Sequence, residues 1–207
     1  MTQIMTPSKP TTAGQIDKAV ANYRALLEKH AREFNTEAVQ TVLGQSELAD
    51  EQFSVFRRRV ETVSDLIVRR VKVNRGRTPQ EVLDATHRKQ YTDRKVVDSM
   101  PKGEGDEVEV VFFKLDLSAR NGHISDDDLD KEFELRGLKP ADPYSVAAVN
   151  VADPAFADEM PHGTHWKNAD GKWCFASFGR WGDAREVYVD RHVGDWFGDW
   201  WFAGLRK

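Results

Sequence analysis

Val108-Glu-Val-Val-Phe-Phe-Lys-Leu-Asp-Leu117 is the stretch on which the reading of this chain turns. Val108, Val110 and Phe112 alternate with Val111, Phe113, Leu115 and Leu117, so both faces of an extended segment are apolar. That density of β-branched and aromatic residues predicts a buried strand. The residues before it keep mainly to the helical period, and many after it keep to the strand period. The chain therefore reads as α+β.

Upstream, the helical signals are local and specific. Residues 1–11 are polar and Pro-containing, which predicts a mobile tail. Thr12 with Gln15 has the form of a capping box. Ile16, Val20, Tyr23, Leu27, His30 and Phe34 then recur at steps of three and four on one helical face. A short segment over residues 36–43 ends at Gly44, and Ser46 is placed to cap the next helix. Ala49, Phe53, Phe56, Val60, Val63 and Ile67 form a heptad seam of under three heptads, carried on a helix expected over residues 51–73. An antiparallel helical hairpin, or short coiled coil, burying that seam is the expectation. Thr78-Pro-Gln-Glu81 starts another helix, and Thr92 is a candidate cap for one more, ended by Pro101 and the Gly103/Gly105 loop.

Downstream, Ser125 caps a helix through Leu129 and Phe133, stopped by Gly137. Asp142-Pro143 and Asp153-Pro154 each read as a cap followed by a first-position Pro. Ala169-Asp-Gly171 is a hairpin turn, residues 179–185 read as a second turn, and residues 200–206 as a last strand. These elements predict a small antiparallel sheet with flanking helices. The expected division is a tail over 1–11, a helical region over 12–102 and a Trp-rich α+β domain over 103–207.

The charge distribution supports that division. The chain has 207 residues, 40% of them apolar, and a net charge of −4. Residues 57–102 carry 13 basic and 6 acidic side chains, +7, whereas residues 103–207 carry 12 and 21, −9. The longest apolar runs, such as residues 200–203, are four residues. A span of about 20 is needed to cross a bilayer, so no membrane segment is expected. One cysteine fits a reducing, cytoplasmic setting.

The basic stretch suggests one surface. Arg57, Arg58, Arg59, Arg69, Arg70, Lys72, Arg75 and Arg77 stand against only Glu61 and Asp65. On one helix they would flank the apolar seam, where phosphate backbones are drawn by counterion release. The same surface could pair with the acidic C-terminal half, within or between chains. All six tryptophans lie in the last 42 residues. Trp181 and Trp196, beside Gly182 and Gly194, are the candidates for exposure and partner contact.

Signals for catalysis are sparse. Residues 121–129 resemble the second half of an EF-hand loop, but Leu117 and Ala119 stand where carboxylates belong, so an Asn-Gly turn and a capped helix is the reading. His162 and His165 are two imidazoles three residues apart in a Pro/Gly loop, weak candidates for a metal, which needs at least three convergent ligands. Asp190 and His192 form a possible acid/base pair, while Cys174 reads as packing. There is no GxGxxG, Walker loop or HExxH. No cofactor and no catalytic residue are expected.

Arg136-Gly-Leu-Lys-Pro-Ala-Asp-Pro-Tyr144, Asn150-Val-Ala-Asp-Pro-Ala-Phe-Ala-Asp158, Thr164-His-Trp166 and Trp200-Trp-Phe-Ala-Gly-Leu-Arg-Lys207 resemble an uncharacterised family of bacterial, largely metagenome-derived proteins. Residues 76–101 are similar to it too. The resemblance implies a bacterial or phage-associated cytoplasmic protein and no catalytic residues. The closing Trp-Phe-x-Gly-x-Arg also resembles the ends of C-type-lectin-like ligand-binding domains. The expectation is a non-catalytic interaction or assembly protein, whose helical arm oligomerises and whose Trp-rich domain binds a partner. The alternatives are a nucleic-acid-binding protein using residues 57–77, and a metal-dependent enzyme built on His162, His165 and Asp190.

Overall fold

The computed structural model describes residues 11–207, so all but the last residue of the expected tail lies outside the described residues. The chain divides after Val63 into two compact units. The first holds α1 (Ala13–His30), α2 (Thr36–Leu43) and α3 (Glu47–Thr62). The Thr12–Gln15 capping box is present at the start of α1, and Asn35 caps α2 by accepting the Ala38 N–H at 3.0 Å. Within this unit Gln52 Nε2 donates to Tyr23 Oη at 2.7 Å, linking α1 and α3. The seam is not buried by such a hairpin, however, because Phe53, Phe56 and Val60 stay exposed.

The helix expected over residues 51–73 stops at Thr62. Ser64 Oγ accepts the Leu66 N–H at 3.1 Å, and the chain continues as β1 (Leu66–Lys72). The period changes there from 3.6 to 2, with Ile67, Arg69 and Val71 turned inward. Ile67 therefore belongs to a sheet core and not to the heptad seam. The region over 12–102 accordingly contains strands as well as helices, and the division falls near 63 instead of near 102.

The second unit continues with α4 (Pro79–Asp84), β2 (Lys89–Thr92), α5 (Arg94–Asp98) and β3 (Glu107–Lys114). Then come β4 (His123–Ile124), α6 (Asp126–Leu135), β5 (Leu138–Pro140), α7 (Pro143–Ala152) and α8 (Phe156–Glu159). The chain closes with β6 (His162–Lys167), β7 (Trp173–Trp181), β8 (Ala184–Arg191), β9 (Trp196–Phe197) and β10 (Trp201–Arg206). The sheet is eight-stranded, in the order β1-β3-β10-β6-β7-β8-β2, with β5 also on β10. Its pairings are antiparallel except β10 with β6 and β2 with β8. It is mostly antiparallel, as expected, but larger, because β1 and β2 join from the region read as helical.

Adjacent strand residues face opposite ways, and β3 shows the consequence. Phe112 enters one core with Phe178, Val187, Leu83, Val97, Tyr144 and Phe156. Phe113 enters the other with Phe202, Leu129, Phe133 and Trp196. Helices thus lie on both faces: α4, α5, α7 and α8 on the first, α6 on the second. Local signals hold at Thr78, Ser125 and Asp142, whose side chains cap α4, α6 and α7. Asp93, not Thr92, caps α5, and Asp153 ends α7 instead of starting α8. The turn expected over residues 179–185 shrinks to Gly182-Asp183, with Gly182 at φ +59°, because β7 runs on to Trp181.

Candidate functional site

The basic stretch is not carried on one helix. Arg57, Arg58 and Arg59 lie on α3, while Arg69, Arg70 and Lys72 alternate along β1. Arg69 is buried over the Phe156 ring at 4.3 Å, with Asp153 at 3.6 Å. Arg70 faces outward to Glu109 at 2.7 Å. Arg75 pairs with Asp142 and donates to Gly105 O and Glu104 O at 3.1 Å and to Ser145 Oγ at 3.0 Å. It ties the loop before β3 to the start of α7. Arg77 is exposed. Two of the eight candidate cations, Arg69 and Arg75, are therefore engaged in internal structure.

The two histidines of the expected pair sit on β6, not in a loop, and do not converge. Three residues apart on a strand, their side chains point to opposite faces. His162 is enclosed by Phe112, Phe156 and Phe178. Its Nδ1–H donates to Met160 O at 2.8 Å, and its Nε2 accepts from Asn150 Nδ2 at 2.9 Å. Burial pushes this imidazole down to about 3, so it is neutral and structural. Among the described residues no group of three or more His, Cys, Asp or Glu is arranged to hold a metal ion.

His165, on the other face, belongs to a cluster built around Asp126. Ser125 Oγ accepts the Asp128 N–H at 3.3 Å, fixing Asp126 as the first residue of α6, where the helix dipole favours an anion. The Asp126 carboxylate accepts from His165 Nδ1 at 2.7 Å, Trp196 Nε1 at 2.9 Å and His192 Nδ1 at 2.5 Å. Burial pushes the carboxyl up, but these hydrogen bonds, with His165 first, outweigh it and hold Asp126 well below the ordinary carboxylate range. His192 thus joins Asp126, not Asp190 as expected; Asp190 accepts the Arg191 N–H at 2.7 Å.

A second carboxylate completes the arrangement. Asp130, one turn along α6, has its Oδ1 3.5 Å from His165 Nε2. Burial pushes the His165 imidazole down, yet hydrogen bonding to Asp126 and Asp130 raises it overall. The ring stacks on Trp173 with centroids 4.5 Å apart and planes 12° apart. A buried imidazole between two carboxylates can hold a proton and donate it at Nε2. Cys174 lies on β7, fully buried, and burial raises its thiol, so it supplies no thiolate.

Beside this cluster the sheet opens. β10 pairs with β6 only through Trp201–His162 and Phe202–Gly163, and then turns to β5. The gap is a cleft of about 460 Å³ walled by His165, Trp166 and Lys167 on one side and Lys139, Pro140 and Leu205 on the other.

The tryptophans divide between core and surface. Trp196 is only 3% exposed, against expectation, because its indole N–H is taken by Asp126 and its ring covers Gly163. Trp181 is 39% exposed, as expected, and belongs to an aromatic row. Tyr91 stacks on Tyr188 at 4.8 Å, Trp181 meets Tyr188 at 5.2 Å and Trp200 at 6.0 Å. Sequence reasoning noted His165, His192 and Trp196 separately and missed their shared partner, since only the Ser125 cap marked Asp126.

Comparison with protein-family models, curated proteins and solved structures finds no match to this chain. Among the described residues no helix is long and apolar enough to cross a membrane.

Proposed function

We propose that this chain is an interaction protein that self-assembles through its N-terminal helices and meets a partner through its Trp-rich unit. The observation that carries this reading is the apolar surface of those helices. α1 and α2 have no buried residue, and Ile16, Leu27, Phe53, Phe56 and Val60 are 46–53% exposed. Fully burying such a side chain is worth about 1.5–3 kcal/mol, so covering the exposed half at five positions is worth several kcal/mol per chain. Such an apolar surface is characteristic of an interaction site. The exposed Trp181, in its aromatic row, supports the second part of the reading. Nucleic-acid binding draws less support, since Arg69 and Arg75 are occupied within the second unit.

Size-exclusion chromatography with light scattering on the full chain tests the proposal. The expected mass is at least twice 23.6 kDa, falling to 23.6 kDa for Phe53→Asp/Phe56→Asp, whose exposed positions leave the fold intact. A 23.6 kDa wild-type chain at about 100 μM, well above the Kd of a stable dimer, would overturn it. A high 260/280 absorbance ratio that falls in high salt would move the assignment to nucleic acid.

A further inference from the structure

Across β7, β8 and β2 one face of the sheet carries aromatic rings that belong to neither core. Cys174, Ala176, Phe178, Val187 and Val189 fill the first core, so the residues alternating with them face the other way. There Tyr91 stacks on Tyr188 with centroids 4.8 Å apart, and Trp181 stands at 78° to Tyr188 and 6.0 Å from Trp200. A Cβ at Gly179 would lie 2.7–3.2 Å from three atoms of the Trp181 ring, so the indole rests on bare backbone. Trp181 is nevertheless 39% exposed, which leaves ring surface open to a ligand.

The charges around this row select a cation. Glu186 is the register partner of Gly179, which places its carboxylate beside the Trp181 ring. The residue is only 7% exposed, and its Oε2 accepts the Tyr188 O–H at 2.8 Å. Among the described residues Glu186 has no ion pair and its Oε1 accepts no hydrogen bond. Buried charges are normally paired, so this carboxylate calls for a cation from outside. Lys89 feels its field but makes no ion pair with it; the Lys89 ammonium lies over the Tyr91 ring at 4.9 Å, so a ring of this row already takes a cation. Residues 181–200 add four exposed aspartates, at 183, 190, 195 and 199, none with an ion pair among the described residues. Of the nearby arginines, Arg180 and Arg185 are held by Asp158, and Arg191 alternates with Asp190 to the opposite face. Several rings and several separate carboxylates suit a chain with repeated cations over one small cation. A planar guanidinium both stacks on an indole and donates in parallel to a carboxylate.

We propose that this face binds an arginine-rich segment of a partner protein, one guanidinium stacking on Trp181 beside Glu186 and others meeting the aspartates around the row. The inference rests on the reading that the Trp-rich unit meets a partner, and it names that partner's chemistry.

Fluorescence anisotropy of fluorescein-labelled hexa-arginine, titrated with the full-length protein, tests it. Saturable binding is expected, with hexalysine held several times more weakly because an ammonium does not stack as a guanidinium does. Trp181→Ala is expected to weaken hexa-arginine binding about fivefold, the scale of an exposed cation–π contact. Glu186→Gln keeps an acceptor for the Tyr188 hydroxyl and removes only the charge; it is expected to weaken binding about tenfold. Glu109→Gln makes the same change of charge on β3, with three strands between it and β8, and is expected to leave binding unchanged. No saturable binding at about 100 μM protein would overturn the proposal. So would unchanged affinity in Trp181→Ala or Glu186→Gln, or an equal loss in Glu109→Gln, which would mark diffuse attraction to an acidic surface. The light-scattering mass of the same samples reports assembly separately, so a dimer that ignores hexa-arginine would overturn this inference alone.

Discussion

The Trp196 indole donates its N–H to the Asp126 carboxylate at 2.9 Å across 70 residues of sequence. With His165 and His192 on the same carboxylate, this contact joins the start of α6 to β6, β9 and the segment after β8. The unit is fastened at one buried anion, and its removal has a definite cost.

Asp126→Ala takes from His165 Nδ1, His192 Nδ1 and the Trp196 N–H the carboxylate they share. Removing one partner of a buried ionic pair costs about 3–5 kcal/mol, and that is the expected loss. Asp126→Asn keeps one acceptor oxygen and should lose less. Urea unfolding of both variants checks the order; a loss under about 1 kcal/mol for Asp126→Ala would remove the cluster from its structural role.

Gly163 and Gly179 each lie under a tryptophan ring, but their substitutions should differ. A Cβ at Gly163 would come within 2.8 Å of the Trp196 ring and 3.1 Å of Ala176 O. Trp196 is buried and held by Asp126, so it cannot swing away, and overpacking of this kind costs about 1–3 kcal/mol. A Cβ at Gly179 would meet Trp181 at 2.7 Å, but Trp181 is 39% exposed and can move outward. Thermal melts should show the larger decrease for Gly163→Ala.

His162 and His165 should give opposite pH dependence. The His162 imidazole is pushed down to about 3 by burial, so between about 6.5 and 3 the unfolded chain binds the extra proton, and stability falls as pH falls through that window. The His165 imidazole is raised by its contacts with Asp126 and Asp130. Its stabilisation is full below about pH 6.5 and declines as pH rises through the raised value. Denaturation midpoints measured from pH 4 to 9 should lose the acid decline in His162→Gln and the alkaline decline in His165→Gln. Parallel profiles for both variants would contradict the assignment.

Arg75→Ala should destabilise far more than Arg77→Ala. Arg75 holds the buried Asp142 and four further acceptors, the carbonyls of Lys102, Glu104 and Gly105 and the Ser145 hydroxyl, and leaving that carboxylate unpaired costs about 3 kcal/mol. The Arg77 side chain is exposed, and such substitutions stay within about 0.5 kcal/mol. Equal losses in urea unfolding would show that Arg75 is not the anchor of the loop before β3.

The sequence by itself determined what is set within a few residues. The Thr12, Thr78, Ser125 and Asp142 caps are legible because the cap and the N–H it takes are three residues apart. β3 was legible because alternation over Val108–Phe113 is a local period, and the hairpin of β6 and β7 because residues 169–171 form its turn. Tertiary structure decided what depends on distant partners. Leu66–Lys72 reads equally as the end of a heptad seam, and becomes a strand only through pairing with β3 some 40 residues on. The same pairing turns Arg69 from a surface cation into a buried one. The Asp126 cluster is likewise beyond any local pattern, since its donors lie 39, 66 and 70 residues away. A buried carboxylate is stable only where several donors converge, and that convergence exists only after the sheet has formed.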